Sequence, residues 1–177
     1  MRYAVLAVVA LLFVPAPAFA QKPRWEQLPL PPTMTKATLT GHVDVPDGAK
    51  IYYATYGNPK GPAVVVLHGG LGNADHFSLQ VPALGDKFRV IGIDSRGQGR
   101  STLSKGKLSY HTMASDVIAV MDALGIAKAS MVGWSDGGAI ALDLGISYAD
   151  RVDKLFVFGT NYDKNGSKSR AGYSPTF

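Results

Sequence analysis

Between Ala37 and Gly159 the spacing of apolar residues changes several times, and each change marks a new element. Pro62–His68 (Pro-Ala-Val-Val-Val-Leu-His) and Phe88–Asp94 are apolar without alternation, as expected of strands covered on both faces. Ala129–Gly133 and Lys154–Gly159 repeat that pattern more weakly. Upstream, Thr38, Thr40, Val43 and Val45, then Ile51, Tyr52, Tyr53 and Tyr56, flank Pro46-Asp47-Gly48 and predict a hairpin. Met113, Val117, Val120, Met121 and Leu124 recur at helical intervals, which places one apolar stripe against a sheet, and Gly125 ends that helix. Asp75–Leu84 is a weaker helix interrupted by Pro82, and Gly137–Tyr148 is apolar on most sides, as a central helix should be. Strands alternating with helices imply right-handed parallel crossovers. The expectation is an α/β fold: an open, mostly parallel sheet with helices on both faces.

Composition supports a buried core, with 46% hydrophobic and 18% charged residues in 177. The first 20 residues fall outside it: Arg2 precedes the apolar stretch Ala4–Val14, and Ala18 and Ala20 occupy small-residue cleavage positions. Residues 1–20 read as a secretory signal peptide, so the protein is expected to be exported, to a periplasm or beyond. The alternative, an uncleaved anchor, needs about 20 apolar residues. Proline-rich 21–36 reads as an extended linker, and the folded domain is placed at 37–177. The sequence has no cysteine, which removes thiol catalysis, thiolate metal sites and disulfides. The net charge of +5 is spread along the chain except for Lys164, Lys168 and Arg170. Without interleaved aromatics or a recognition motif, nucleic acid is not an expected partner. After signal cleavage no stable membrane span is expected.

Ligands of an open α/β sheet gather beyond the carboxyl ends of its strands, and glycine-rich motifs fall there in chain order. His68-Gly69-Gly70-Leu71-Gly72 follows the most apolar run, and Asp94-Ser95-Arg96-Gly97-Gln98-Gly99-Arg100-Ser101 follows the next. Gly133-Trp134-Ser135-Asp136-Gly137-Gly138 stands between a strand and a small-residue helix. A serine on such a turn has a strained backbone and a projecting hydroxyl, which makes Ser135 the candidate nucleophile. The amide of Asp136, at a helix start, is the candidate partner of the Gly70 or Leu71 amide in holding an oxyanion. Gly97 and Gly99 lack the third glycine of a dinucleotide site, and there is no Walker lysine or metal-ligand pair, so no cofactor or metal is expected. His68 is expected to support its loop, His76 to be a surface or packing histidine, and Asp94 and Arg96 to pair or to bond backbone and stiffen their turn.

These pieces resemble the oxyanion loop, fourth-strand turn and nucleophile elbow of the α/β-hydrolase-fold superfamily, over about Ala37 to Asp163. The Gly-Trp-Ser-Asp-Gly-Gly form is similar to that of valacyclovir-hydrolase-type serine esterases, whereas haloalkane dehalogenases and epoxide hydrolases of the superfamily carry aspartate at the elbow. The resemblance implies strand order 1-2-4-3-5-6-7-8, with Lys154–Gly159 as strand 6, and a small-molecule acyl substrate. It also implies a catalytic histidine downstream of the nucleophile, yet His42, His68, His76 and His111 all precede Ser135. On that template the lid, strands 7 and 8 and the histidine would lie beyond Phe177. The expectation is therefore a truncated hydrolase domain of strands 1 to 6, weak or inactive. Some superfamily members place the acid after strand 6, where Asp163 stands; otherwise Asp163 is a loop acid. An unpaired strand 6 would leave an apolar edge open to self-association. A noncatalytic binding protein on the same fold is the rival reading.

Overall fold

A computed structural model describes residues 23–162. The leader at 1–20 and Asp163 lie outside the described residues. Contacts divide the chain after Leu30. In the described part of the first unit, Arg24–Gln27 forms a 3-10 turn where the prolines predict extended chain. Pro23 accepts the Glu26 N–H at 2.9 Å, and a residue opening a turn needs no N–H of its own there.

The second unit holds a sheet of β1 (Leu39–Asp44), β2 (Lys50–Gly57), β3 (Ala63–Leu67), β4 (Arg89–Ile93), β5 (Ala129–Trp134) and β6 (Val152–Phe158). Their order is β1-β2-β4-β3-β5-β6. β1 with β2 and β2 with β4 are antiparallel, and β3/β4, β3/β5 and β5/β6 are parallel. The hairpin closes where Gly48 N–H donates to Val45 O at 2.9 Å. Val64, Val65, Val66 and Leu67 of β3 are all buried, which explains the absence of alternation.

Helices cover both faces. On one, α2 (Tyr110–Ala123) and α3 (Asp136–Ser147) pack Met113, Val117, Met121, Ile140 and Leu144 against Val65, Leu67, Ile91 and Met131. On the other, α1 (Gln80–Gly85) and a 3-10 turn at Ala74–Phe77 pack Phe77 and Val81 against Ala54, Tyr56, Val64, Val66 and Val90. The helix predicted across Asp75–Leu84 is thus two pieces, and the break falls at Ser78–Leu79, before Pro82. Pro82 sits in the first turn of α1, where its missing N–H would have had no helical partner. α2 starts earlier than its apolar stripe: Ser109 caps it by accepting the Thr112 N–H at 3.1 Å. Among the described residues no helix is long and apolar enough to cross a membrane.

Candidate active site

Ser135 stands between β5 and α3 with φ 53° and ψ −118°, a conformation costing on the order of 1–3 kcal/mol for a residue with a side chain. The surrounding hydrogen bonds enforce it. Ser135 N–H donates to Phe158 O of β6 at 3.1 Å, and its carbonyl accepts Gly138 N–H and Ala139 N–H at 2.9 and 3.2 Å. The strand therefore turns into the helix within one residue. The tightness dictates the glycines: a Cβ on Gly137 would overlap the carbonyl of Leu67 in β3.

The loop after β3 lies directly over this turn. A side-chain carbon on Gly69 would sit 3.2 Å from Ser135 Cβ, and one on Gly70 would sit 2.5 Å from Asp136 Oδ2. Leu71 has φ 59° and a wholly exposed side chain, so the loop carries a second strained residue beside Gly70. Among the hydrogen bonds of the described residues, none uses the amide of Gly70, Leu71 or Asp136. The loop at Gly69–Gly70 and the helix start at Asp136 thus both lie beside the Ser135 turn.

His68 builds this loop from beneath. Its ring is buried; Nε2 accepts the Ser95 N–H at 3.0 Å and Nδ1 lies 2.7 Å from Gly69 O. Because Nε2 must be the acceptor, the proton resides on Nδ1, and burial holds the imidazole below the ordinary histidine range. The 69–70 peptide is thereby oriented by its carbonyl.

In the turn after β4, Asp94 and Arg96 do not pair with each other. Asp94 Oδ1 accepts Ala74 N–H at 2.8 Å, while Oδ2 accepts the amide and Nε of Arg100 at 2.8 and 2.7 Å. Burial pushes its carboxyl up, but the bonds from Arg100 and Ala74 outweigh that and hold it below the usual carboxylate range. Arg96 points to the opposite face of the turn, donating to Asp116 at 2.8 and 2.6 Å and to Asp47. The backbone-bonding alternative therefore describes Asp94, and Arg96 belongs to a buried ion-pair network that sequence spacing did not indicate.

An open groove of about 500 Å³ runs beside Ser135, lined by Asp136, Tyr110, Leu142, Asp143 and Tyr162 among others. Tyr110, absent from the sequence-derived candidates, donates its hydroxyl to Asp136 Oδ1 at 2.8 Å. Its signal was its place just inside a helix capped by Ser109, but nothing local tells which partner it meets. Among the described residues no histidine hydrogen-bonds the Ser135 hydroxyl. His42 bonds the Arg100 carbonyl, His111 bonds Asp143 at 3.0 Å, and exposed His76 packs 6.0 Å from the Trp134 ring. No cluster of three or more histidine, aspartate or glutamate side chains among the described residues is placed to hold a metal ion.

Known proteins share this fold. The family model described as alpha/beta hydrolase fold matches residues 62–171. RutD of Caulobacter segnis, which carries the name of a carbamate hydrolase, is 42% identical over 128 residues, covering 70% of this chain and 45% of the relative. The structure of an esterase from Exiguobacterium antarcticum superposes with a TM-score of 0.64 at 35% identity, over 69% of this chain and 46% of the other. An enol-lactonase from Burkholderia xenovorans gives 0.62 at 30% identity, over 65% and 45%. The chain spans less than half the length of each. With its strand order, its strained serine turn and the family match over most of its length, the chain belongs to the α/β hydrolase fold family.

Proposed function

We propose that this chain carries the nucleophile and oxyanion cradle of a serine hydrolase acting on carboxylic esters or related acyl bonds. The observation that carries the reading is Ser135 at φ 53° on the β5–α3 turn, with the unused amides of Gly70 and Asp136 beside it. Relatives named for carbamate, ester and lactone chemistry support the acyl class. In the reaction, Ser135 Oγ attacks the acyl carbonyl, the two amides receive the oxyanion, and water later releases the acid from the acyl-serine. Leu71 shapes the loop next to the first donor. Asp163 is the acid of this scheme if it follows the rarer placement after β6.

Attack requires a base to take the serine proton, and none of the histidines among the described residues bonds Ser135. Loss of a triad member lowers kcat by roughly 10⁴- to 10⁶-fold. The chain by itself is therefore a weak or silent esterase. The test is labelling with a fluorophosphonate and turnover of a p-nitrophenyl ester: slow labelling and little turnover, both abolished by Ser135→Ala, are expected; fast turnover abolished by Ser135→Ala overturns the weak activity, and labelling that persists in Ser135→Ala overturns the nucleophile assignment. That no histidine among the described residues bonds Ser135 favours a second reading, a noncatalytic binding protein that keeps the groove; saturable binding of an ester unaffected by Ser135→Ala would select it. We also place the mature protein outside the cytoplasm, supported by Arg2, the Ala4–Val14 stretch and Ala18/Ala20. Amino-terminal sequencing of exported material beginning at Gln21 is the check.

A further inference from the structure

Asp136 has two roles that conflict. Its amide is one of the two donors awaiting an oxyanion, while its side chain is a carboxylate at the first position of α3. An acid there is ordinarily drawn to the free N–H groups of the helix start, its own among them. If the carboxylate made that bond, it would fill the cradle with the protein's own negative charge.

The structure holds it elsewhere. Oδ1 accepts the Tyr110 hydroxyl at 2.8 Å, and Oδ2 lies against the α-carbon side of Gly70, 2.5 Å from where a Cβ would be. Among the described residues neither oxygen takes an amide of the loop or helix start. Tyr110 reaches this point from α2, whose start is fixed by the Ser109 cap, so the hydroxyl is delivered by an element independent of the serine turn. We propose that Tyr110 is a positioning residue for the oxyanion cradle: its phenol competes with the Gly70 and Asp136 amides for the Asp136 carboxylate and so keeps both donors free. This rests on the serine-hydrolase reading for its catalytic consequence, but not for its structural one. The phenol's titration, raised by the Asp136 bond, agrees with the contact.

The test is Tyr110→Phe in the full chain, read in two ways. First, the Ser135 labelling rate with a fluorophosphonate falls on the order of tenfold, less than the roughly 10²- to 10³-fold for outright loss of a donor. In the Asp136→Ala background the same substitution has no effect, because no carboxylate remains to misplace. An equal loss in both backgrounds overturns the proposal. Second, in amide NMR spectra the Gly70 or Asp136 proton of Tyr110→Phe moves downfield and follows the carboxyl titration, while other resonances stay in place. Unchanged amides overturn the proposal even if Ser135 labels normally. Shifted amides in a chain that never labels support it and count instead against the hydrolase reading.

Discussion

The Ser95 amide donates to Nε2 of His68 at 3.0 Å, and that bond decides where the ring keeps its proton. With Nε2 occupied as acceptor, Nδ1–H is left for the Gly69 carbonyl at 2.7 Å. A second proton would set Nε2–H against the Ser95 N–H. The folded-state value lies below the ordinary 6.5 chiefly through burial, so between the two values the unfolded chain binds more protons. Stability contributed by neutral His68 is therefore complete above about pH 6.5 and is lost as pH falls toward the folded-state value. Denaturant titrations at a series of pH values should show this loss, and His68→Gln should flatten it while lowering neutral-pH stability by about 1–3 kcal/mol through lost buried hydrogen bonds. An unaltered pH dependence in the variant would remove His68 from the account.

Gly137 tests the tightness of the serine turn, because two effects of Gly137→Ala oppose each other. Helix propensity favours alanine within α3 by about 1 kcal/mol. Overlap of the new Cβ with the Leu67 carbonyl costs about 1–3 kcal/mol and falls on backbone that cannot rotate away. Net destabilisation is expected, together with loss of Ser135 labelling as the turn is pushed off β3. A stabilised, normally labelling variant would mean that the turn has room to absorb the methyl group.

Which parts of this molecule were legible in its residues follows from how local each determinant is. Unbroken runs such as Val64-Val65-Val66-Leu67 announce central strands, and Gly133, Gly137 and Gly138 around Ser135 announce a close turn, because period and steric demand lie within a few positions. The split at Ser78–Leu79 was hidden because Pro82 suggested a break where a first helical turn tolerates proline. The partners of Arg96 and Tyr110 were hidden for a different reason. Asp116 is 20 residues from Arg96 and Asp136 is 26 from Tyr110, and only the fold decides which carboxylate each side chain meets.

The Arg96–Asp116 pair offers a stability test away from the site. Both side chains are almost wholly buried, and burial raises the Asp116 carboxyl despite the Arg96 bonds that oppose it. Asp116→Asn would leave a buried guanidinium with Asp47 as its remaining anion, and should cost about 3 kcal/mol in chemical denaturation. Arg96→Met combined with Asp116→Leu should recover most of it, since an apolar pair of similar volume carries no desolvation penalty. If the double variant is no more stable than the single, the pair contributes more than its desolvation cost and that reasoning is wrong here.

β6 should govern association. Among the described residues it pairs with β5 alone, and Leu155, Phe156 and Phe158 are exposed, Phe156 at 64%. Phe156 and Phe158 share one face, ring centroids 5.8 Å apart, so exposed aromatic surface lies beside an edge with no strand partner among the described residues. Each Å² of apolar area left in water costs about 25 cal/mol, and an open edge offers a template for another strand. Self-association through this strand is the expected outcome, visible as a mass that rises with concentration in sedimentation equilibrium. Phe156→Lys places a charge on that face without touching Leu155 or Val157, which lie on the opposite side of the strand. It should return the chain to a monomer while leaving Ser135 labelling as it was. Concentration-independent monomers for both proteins would show that this edge is closed by means other than a second copy.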